Sequence, residues 1–148
     1  MRAVVQRVSR ASVSVRSELI GEIGNGLLVL LGVTHEDNAN DADQLVDKIV
    51  KLRIFDDADG KMNLSLLDVG GELLVVSQFT LFANTLRGRR PSFMEAASGE
   101  QALGWYGYFI EKARSTVGKV EHGAFGEMMA VELVNDGPVT IVLDTKTI

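Results

Sequence analysis

The chain contains no cysteine, which removes disulfides, thiolate nucleophiles and thiolate metal sites together. That composition fits a reducing cytosol, so a cytoplasmic location is expected. Histidine is scarce as well. His35 and His122 lie far apart, in neither a His-x-x-x-His nor a His-x-Glu setting, so no metal centre is expected. Gly21, Gly24 and Gly26 precede no helix and form no dinucleotide fingerprint, which argues against a bound cofactor. Long apolar runs are missing too. The longest, Leu27 to Leu31, makes a strand and cannot span a bilayer, and the N-terminus shows no leader pattern. Finally there is no cationic excess. Fifteen Lys and Arg against twenty Asp and Glu leave a net charge of −5, which speaks against broad binding to DNA or RNA backbone. A local basic patch that grips one end of an RNA stays compatible with it.

What is present is an ordinary globular chain. At 148 residues, 46% of them hydrophobic, it suits one domain with a core that needs no staples. Residues 3–8 and 11–16 read as two short strands around Ser9-Arg10, the second alternating cleanly. Residues 19–23 and 27–33 flank Asn25-Gly26, a hairpin signal. Ala42, Leu45, Val46, Ile49 and Val50 form one helical stripe, with Asn40 or Asp41 as the cap. A second helix is expected over 98–117, capped by Ser98 with Gln101 and closed by Gly118. Gly104 and Gly107 inside it suggest close packing. The acidic cluster Asp56 to Lys61 departs from calcium-loop spacing and reads as a turn with Gly60 at positive φ. Residues 128–134 and 139–143 read as strands around Asn135-Asp136-Gly137-Pro138. Strands outnumber helices and connections are short. The expected fold is α+β, a mainly antiparallel, barrel-like sheet with two packed helices.

The most informative stretch is Glu72 to Leu81, ELLVVSQFTL. Its apolar start is that of a strand covered on both faces. It then turns into Ser77, Gln78, Phe79 and Thr80, which brings hydroxyl, amide and backbone N–H groups to a sheet end. A hydroxyl needs a base to become a nucleophile, and no Gly-x-Ser-x-Gly elbow is present. Capping loose backbone groups is the plain role for Ser77 and Thr80; binding and polarising a substrate carbonyl is the functional one. The basic loop of Arg87, Arg89 and Arg90 is either a solvated face or a set of phosphate contacts.

Ser77-Gln78-Phe79-Thr80-Leu81 together with Asn135-Asp136-Gly137-Pro138-Val139-Thr140 resembles the paired signature of the D-aminoacyl-tRNA deacylases. The likeness covers the whole chain: MRAVVQRV, GLLVLLGV, KLRIFDDADGKMN, RGRRPSF and Gly123 to Phe125 follow in that family's order. His122 and Glu127 depart from it, standing where the family usually has small residues. The resemblance implies a cytoplasmic homodimer that hydrolyses the ester of a D-amino acid, or of glycine, on the terminal adenosine of tRNA. It implies Ser77 to Thr80 as the catalytic pocket, with Phe125 and Met129 beside the substrate. It implies Gly137 and Pro138, joined by a cis peptide bond and lent to the partner's site, as a chiral selector. Arg7, Arg87, Arg89 and Arg90 are then the RNA-binding residues. Two other readings use the same pocket: a non-catalytic dimeric module that binds an amino acid or nucleotide, and a general small-ester hydrolase with Thr80 as nucleophile.

Overall fold

A computed structural model describes all residues, 1–148. Its centre is a strand, β1 (Arg2–Val15), that pairs on both edges. One edge carries β3 (Gly26–Gly32) along residues 2–8 and β2 (Glu18–Ile23) along residues 11–15, both antiparallel. The other edge carries a single long strand at the C-terminus, β8 (Ala130–Asp144), also antiparallel. Beyond β3 the sheet continues in parallel through β6 (Glu72–Ser77) to β7 (Val120–His122). A small antiparallel pair, β4 (Phe55–Asp56) with β5 (Met62–Leu64), lies apart.

β3 and β6 form the double-faced centre that their apolar runs anticipate. Leu27, Val29, Leu31, Leu73 and Val75 point to one core, under α1 (Ala39–Lys51) and α2 (Gly99–Arg114). Leu28, Leu74 and Val76 point to a second, smaller core inside the curled sheet, with Val8, Ala11, Val13 and Ile23. β1 serves both: Ala3 and Val5 feed the first core, Val8 and Val13 the second. The change of side occurs where its pairing with β8 shifts register, between Gln6 and Arg10. A register slip reverses which side chains face inward, so a single strand can line two cores.

The α+β, barrel-like arrangement with two helices stands, but several local expectations do not. Ser9-Arg10 is no turn; it is exposed backbone at that irregularity, with no Gly or Pro to break the strand. Asn25-Gly26 is no hairpin either, since β2 and β3 both pair with β1. Gly26 is needed for closeness: a Cβ there would lie 1.8 Å from the Glu72 carbonyl oxygen. The tight turn sits at Arg16 and Ser17, both at positive φ (50° and 67°), where polar residues gave no glycine signal. Residues 130–134 and 139–143 belong to one strand rather than a hairpin, because both halves follow the same edge of β1, and Met128 and Met129, expected in the first half, precede it.

Helix ends also move. Asn38 caps α1, accepting from Asn40 N–H while Asp41 accepts from Asn38 N–H, two residues before the expected start. α2 stops at Arg114, and residues 115–117 continue only as a turn on Ala113 O. A Cβ at Gly104 or Gly107 would meet open space, so close packing does not explain either glycine. Gly60 does have positive φ (74°), and Asp57 closes the acidic turn by accepting from Asp59 and Lys61 N–H. No group of side chains there or elsewhere is arranged to hold a metal ion. No helix is long and apolar enough to cross a membrane.

Candidate active site

β6 ends at Ser77, and the chain bends through Gln78 into a 3-10 helix, Phe79–Phe82. Gln78 N–H still donates to Leu31 O at 2.8 Å, which fixes the bend to β3. The first N–H groups of such a helix have no partner inside it, so Phe79 and Thr80 offer donors at the mouth of the sheet. Gln78 Nε2 donates to Thr80 Oγ1 at 2.5 Å, leaving the hydroxyl's own proton free to turn outward.

These residues line a cavity of about 720 Å³. Phe79, half exposed, stands edge-on to Phe93, with ring centres 5.0 Å apart, and the two form one wall. Tyr106, Phe125 and Met129 line the same space, as do Glu127 and Met128 at its rim. Most of the lining is apolar, with the polar groups of Ser77 to Thr80 gathered at one side. That distribution suits a ligand with an apolar body and one reactive polar centre.

Tyr106, whose place on the apolar stripe of α2 marks it in the sequence only as a core residue, also supports the site. Its hydroxyl, carried by α2, donates to Val75 O at 2.9 Å and so ties the helix to the strand just before Ser77. Burial pushes its pKa up to about 12, so it stays a donor at any working pH. Its ring meets His122 edge-on and tilts against Phe125. His122 turns Nδ1 toward Gly123 O at 2.8 Å, committed to its own loop. A Cβ on Gly123 would lie 2.6 Å from Met129 Sδ, so glycine there lets Met129 reach the cavity. Glu127 faces Arg16 at 3.8 Å.

Gly137 and Pro138 are not in this cavity. Between Gln6–Thr140 and Val8–Asn135, β8 spends five residues where β1 spends two, so residues 136–139 leave the ladder as a loop. The loop is exposed, the Gly137–Pro138 peptide bond is cis, and Gly137 has φ 136°. Beneath it lies Arg7, which is only 7% exposed. Its Nη1 donates to Ile54 O at 2.7 Å and its Nε to Asp136 O at 3.0 Å, with the Asp56 and Asp136 carboxylates 3.4 Å away. The expectation that Arg7 grips RNA is corrected here: its guanidinium is buried and donates to the backbone carbonyls of Ile54 and Asp136. Arg87, Arg89 and Arg90 remain exposed, on a loop closed by mutual backbone bonds between Asn84 and Ser92, and enter no ion pair.

A curled sheet in which β6 ends in a hydroxyl-bearing turn above an apolar cavity defines a binding pocket suited to a ligand with an apolar body and one polar centre. The particular family follows from comparison. The family model described as D-Tyr-tRNA(Tyr) deacylase matches residues 4–144, and the chain belongs to that family. A D-aminoacyl-tRNA deacylase of Thermosipho melanesiensis is 58% identical over 100% of this chain and 99% of its own. One from Dehalococcoides mccartyi is 59% identical over 99% of this chain and 95% of its own. Among solved structures, the c-Myc DNA Unwinding Element Binding Protein superposes with a TM-score of 0.93, at 47% identity, over 97% of this chain and 98% of that one. A probable eukaryotic D-amino acid tRNA deacylase shares the fold, with a TM-score of 0.82 at 16% identity, over 96% of this chain and 97% of that one.

Proposed function

We propose that the chain is a D-aminoacyl-tRNA deacylase, an ester hydrolase that frees D-amino acids, and glycine, from the terminal adenosine of tRNA in the cytoplasm. Full-length identity of 58% to a deacylase of that name, together with the Ser77–Thr80 turn opening into the cavity, carries the reading. The aminoacyl ester sits in the cavity with its carbonyl oxygen toward Phe79 N–H and the Thr80 hydroxyl, which stabilise the charge that grows as water attacks. Ser77 and Gln78 hold the adenosine, and Phe125 and Met129 flank the aminoacyl group. Thr80 Oγ1 has an amide donor as its hydrogen-bond partner, not a base, which favours attack by water over an acyl-enzyme. The ribose 2′-hydroxyl beside the ester is the group available to help activate that water.

Enantiomers present the same groups, so only rigid geometry separates them. The exposed Gly137–Pro138 loop is the element of suitable shape, and in one chain it lies outside the cavity. It therefore serves a neighbour. The working unit is a homodimer in which β8 meets its counterpart, since its outer edge pairs with no strand of this chain and Leu133, Val134 and Val142 are exposed on it. Rejecting L-substrates a thousandfold requires about 4 kcal/mol, within reach of a steric clash with fixed carbonyls. Arg87, Arg89 and Arg90 contact phosphates of the acceptor end without reading bases. The net charge of −5, with Arg87, Arg89 and Arg90 clustered and exposed on one loop, fits an RNA end better than duplex DNA.

The test is deacylation of matched D-tyrosyl-, L-tyrosyl- and glycyl-tRNA. The expected result is rapid loss of the D and glycyl esters with the L ester spared. A binding module cleaves none of them, and a general esterase hydrolyses simple esters without chiral preference. Thr80→Ala is expected to cost about tenfold in kcat, less than a donor in a dry oxyanion hole, because Thr80 is exposed. Trapping an acyl group on Thr80 would overturn the water-attack mechanism.

A further inference from the structure

Gly137 and Pro138 leave the sheet on a loop, and a filter must be stiffer than the difference it detects. The hydrogen bonds at the neck of that loop show what stiffens it. Opposite residues 136–139 the ladder between β1 and β8 is interrupted, so backbone carbonyls on both sides lose their strand partners. Asn135 Nδ2 donates to two of them: Arg7 O across the gap and Val139 O on the returning limb, each at 2.9 Å. A primary amide has two N–H donors, and here both are used. The side chain thus closes the loop at its base and ties it to β1 at the same point. Arg7 holds the third corner, at Asp136 O.

We infer that Asn135 is a positioning residue for stereochemical rejection: its amide is the staple that fixes where the Gly137–Pro138 carbonyls point. The inference rests on the reading of that loop as the chiral selector and adds the residue that sets its stiffness. No other residue type of this size offers two donors from one atom. Aspartate is isosteric but places a carboxylate against two carbonyl oxygens, and serine keeps a single donor. The half-buried Asn135 lies outside the cavity, so its loss leaves the ester-binding groups of Ser77 to Thr80 untouched.

The experiment compares Asn135→Ala, Asn135→Asp, Asn135→Ser and Gly137→Ala with the parent enzyme on D-tyrosyl-, L-tyrosyl- and glycyl-tRNA, alongside thermal melting. Glycine has no side chain to reject, so its rate reports the chemistry alone. Expected for Asn135→Ala is a rise of about tenfold or more in kcat/KM for the L ester, with the glycyl rate within about threefold of the parent. Asn135→Ser should fall between, which also covers the case in which Ala or Asp compromises folding. A uniform fall for all three esters, tracking the loss of melting temperature, would mean a purely structural role and overturn the inference. So would unchanged L rejection in folded Asn135 variants while Gly137→Ala relaxes it. If Gly137→Ala also leaves rejection intact, the selector reading itself fails, and the two failures are told apart.

Discussion

The two signature segments are held by opposite means. Ser77–Thr80 extends from β6, of which Leu73 to Val76 are all buried, packed on one side under two helices and on the other inside the curled sheet. Gly137–Pro138 projects from β8, most of whose residues are exposed, and is fixed by polar groups: the Asn135 amide and the Arg7 guanidinium. The first rests mainly on apolar burial, which is non-directional and tolerant of small shifts, with the Gln78 N–H to Leu31 O bond setting only its bend. The second depends on hydrogen bonds, which weaken steeply with angle. On the proposed reading, a pocket that holds an ester can rest on the former, whereas a filter that separates mirror images needs the directional kind.

The same substitution in the two regions sharpens that contrast most. Gly26→Ala, at the β3–β6 junction, drives a methyl into the Glu72 backbone, 1.8 Å from its carbonyl oxygen and 2.7 Å from its carbon. The expected outcome is loss of more than about 4 kcal/mol of stability, read as failure to recover folded protein or a collapse of Tm. Gly137→Ala meets Val139 N at 2.9 Å, at a φ of 136°. It should cost about 1–3 kcal/mol of local strain, leave the fold in place, and reduce D-over-L selectivity by about a hundredfold. If Gly137→Ala unfolds the protein as Gly26→Ala does, the division between the regions is wrong.

Next in size is neutralisation of the basic loop. Arg87→Gln, Arg89→Gln and Arg90→Gln together should raise KM for tRNA while leaving kcat nearly unchanged. The dependence of log KM on log salt should flatten by about 2–3. A fall in kcat instead would place this loop in the catalytic machinery.

The smallest effect concerns acid. The Glu72 carboxyl is held below its usual range because Gly24 N–H donates to it, outweighing partial burial, with Lys119 beside it. For Asp144, burial pulls upward, but Lys146 N–H and Arg2 prevail and lower it. Groups depressed in the folded state stabilise above their unfolded pKa and lose that contribution as pH falls through the folded one. Melting temperature should therefore be flat from neutrality to about pH 5 and drop below about pH 4. Glu72→Gln should remove only about 1–2 °C of that drop, since the pair is partly solvated.

Much of this was legible in the sequence. The helical stripe of α1 and the apolar runs of β3 and β6 set their own burial, because periodicity reports which faces meet a core. The Ser77–Thr80 turn was legible for the same reason, as an abrupt end to such a run. Strand continuity was not. Ser9-Arg10 and Asn135–Pro138 look like turns because polar residues and glycine mark both turns and bulges, and only the partner strand decides between them. Arg7 was misread because its residue type suggests a surface charge. Its burial depends on carbonyls at Ile54 and Asp136, remote in sequence and brought close only by the folded chain.

The placement of the Gly137–Pro138 loop outside its own chain's cavity has a genetic corollary. If each copy finishes its neighbour's cleft, a lesion in the loop and a lesion in the cleft need not add. Mixed in one cell, two such defective alleles would assemble some pairs retaining one intact centre, so each mutant would rescue the other where neither works alone.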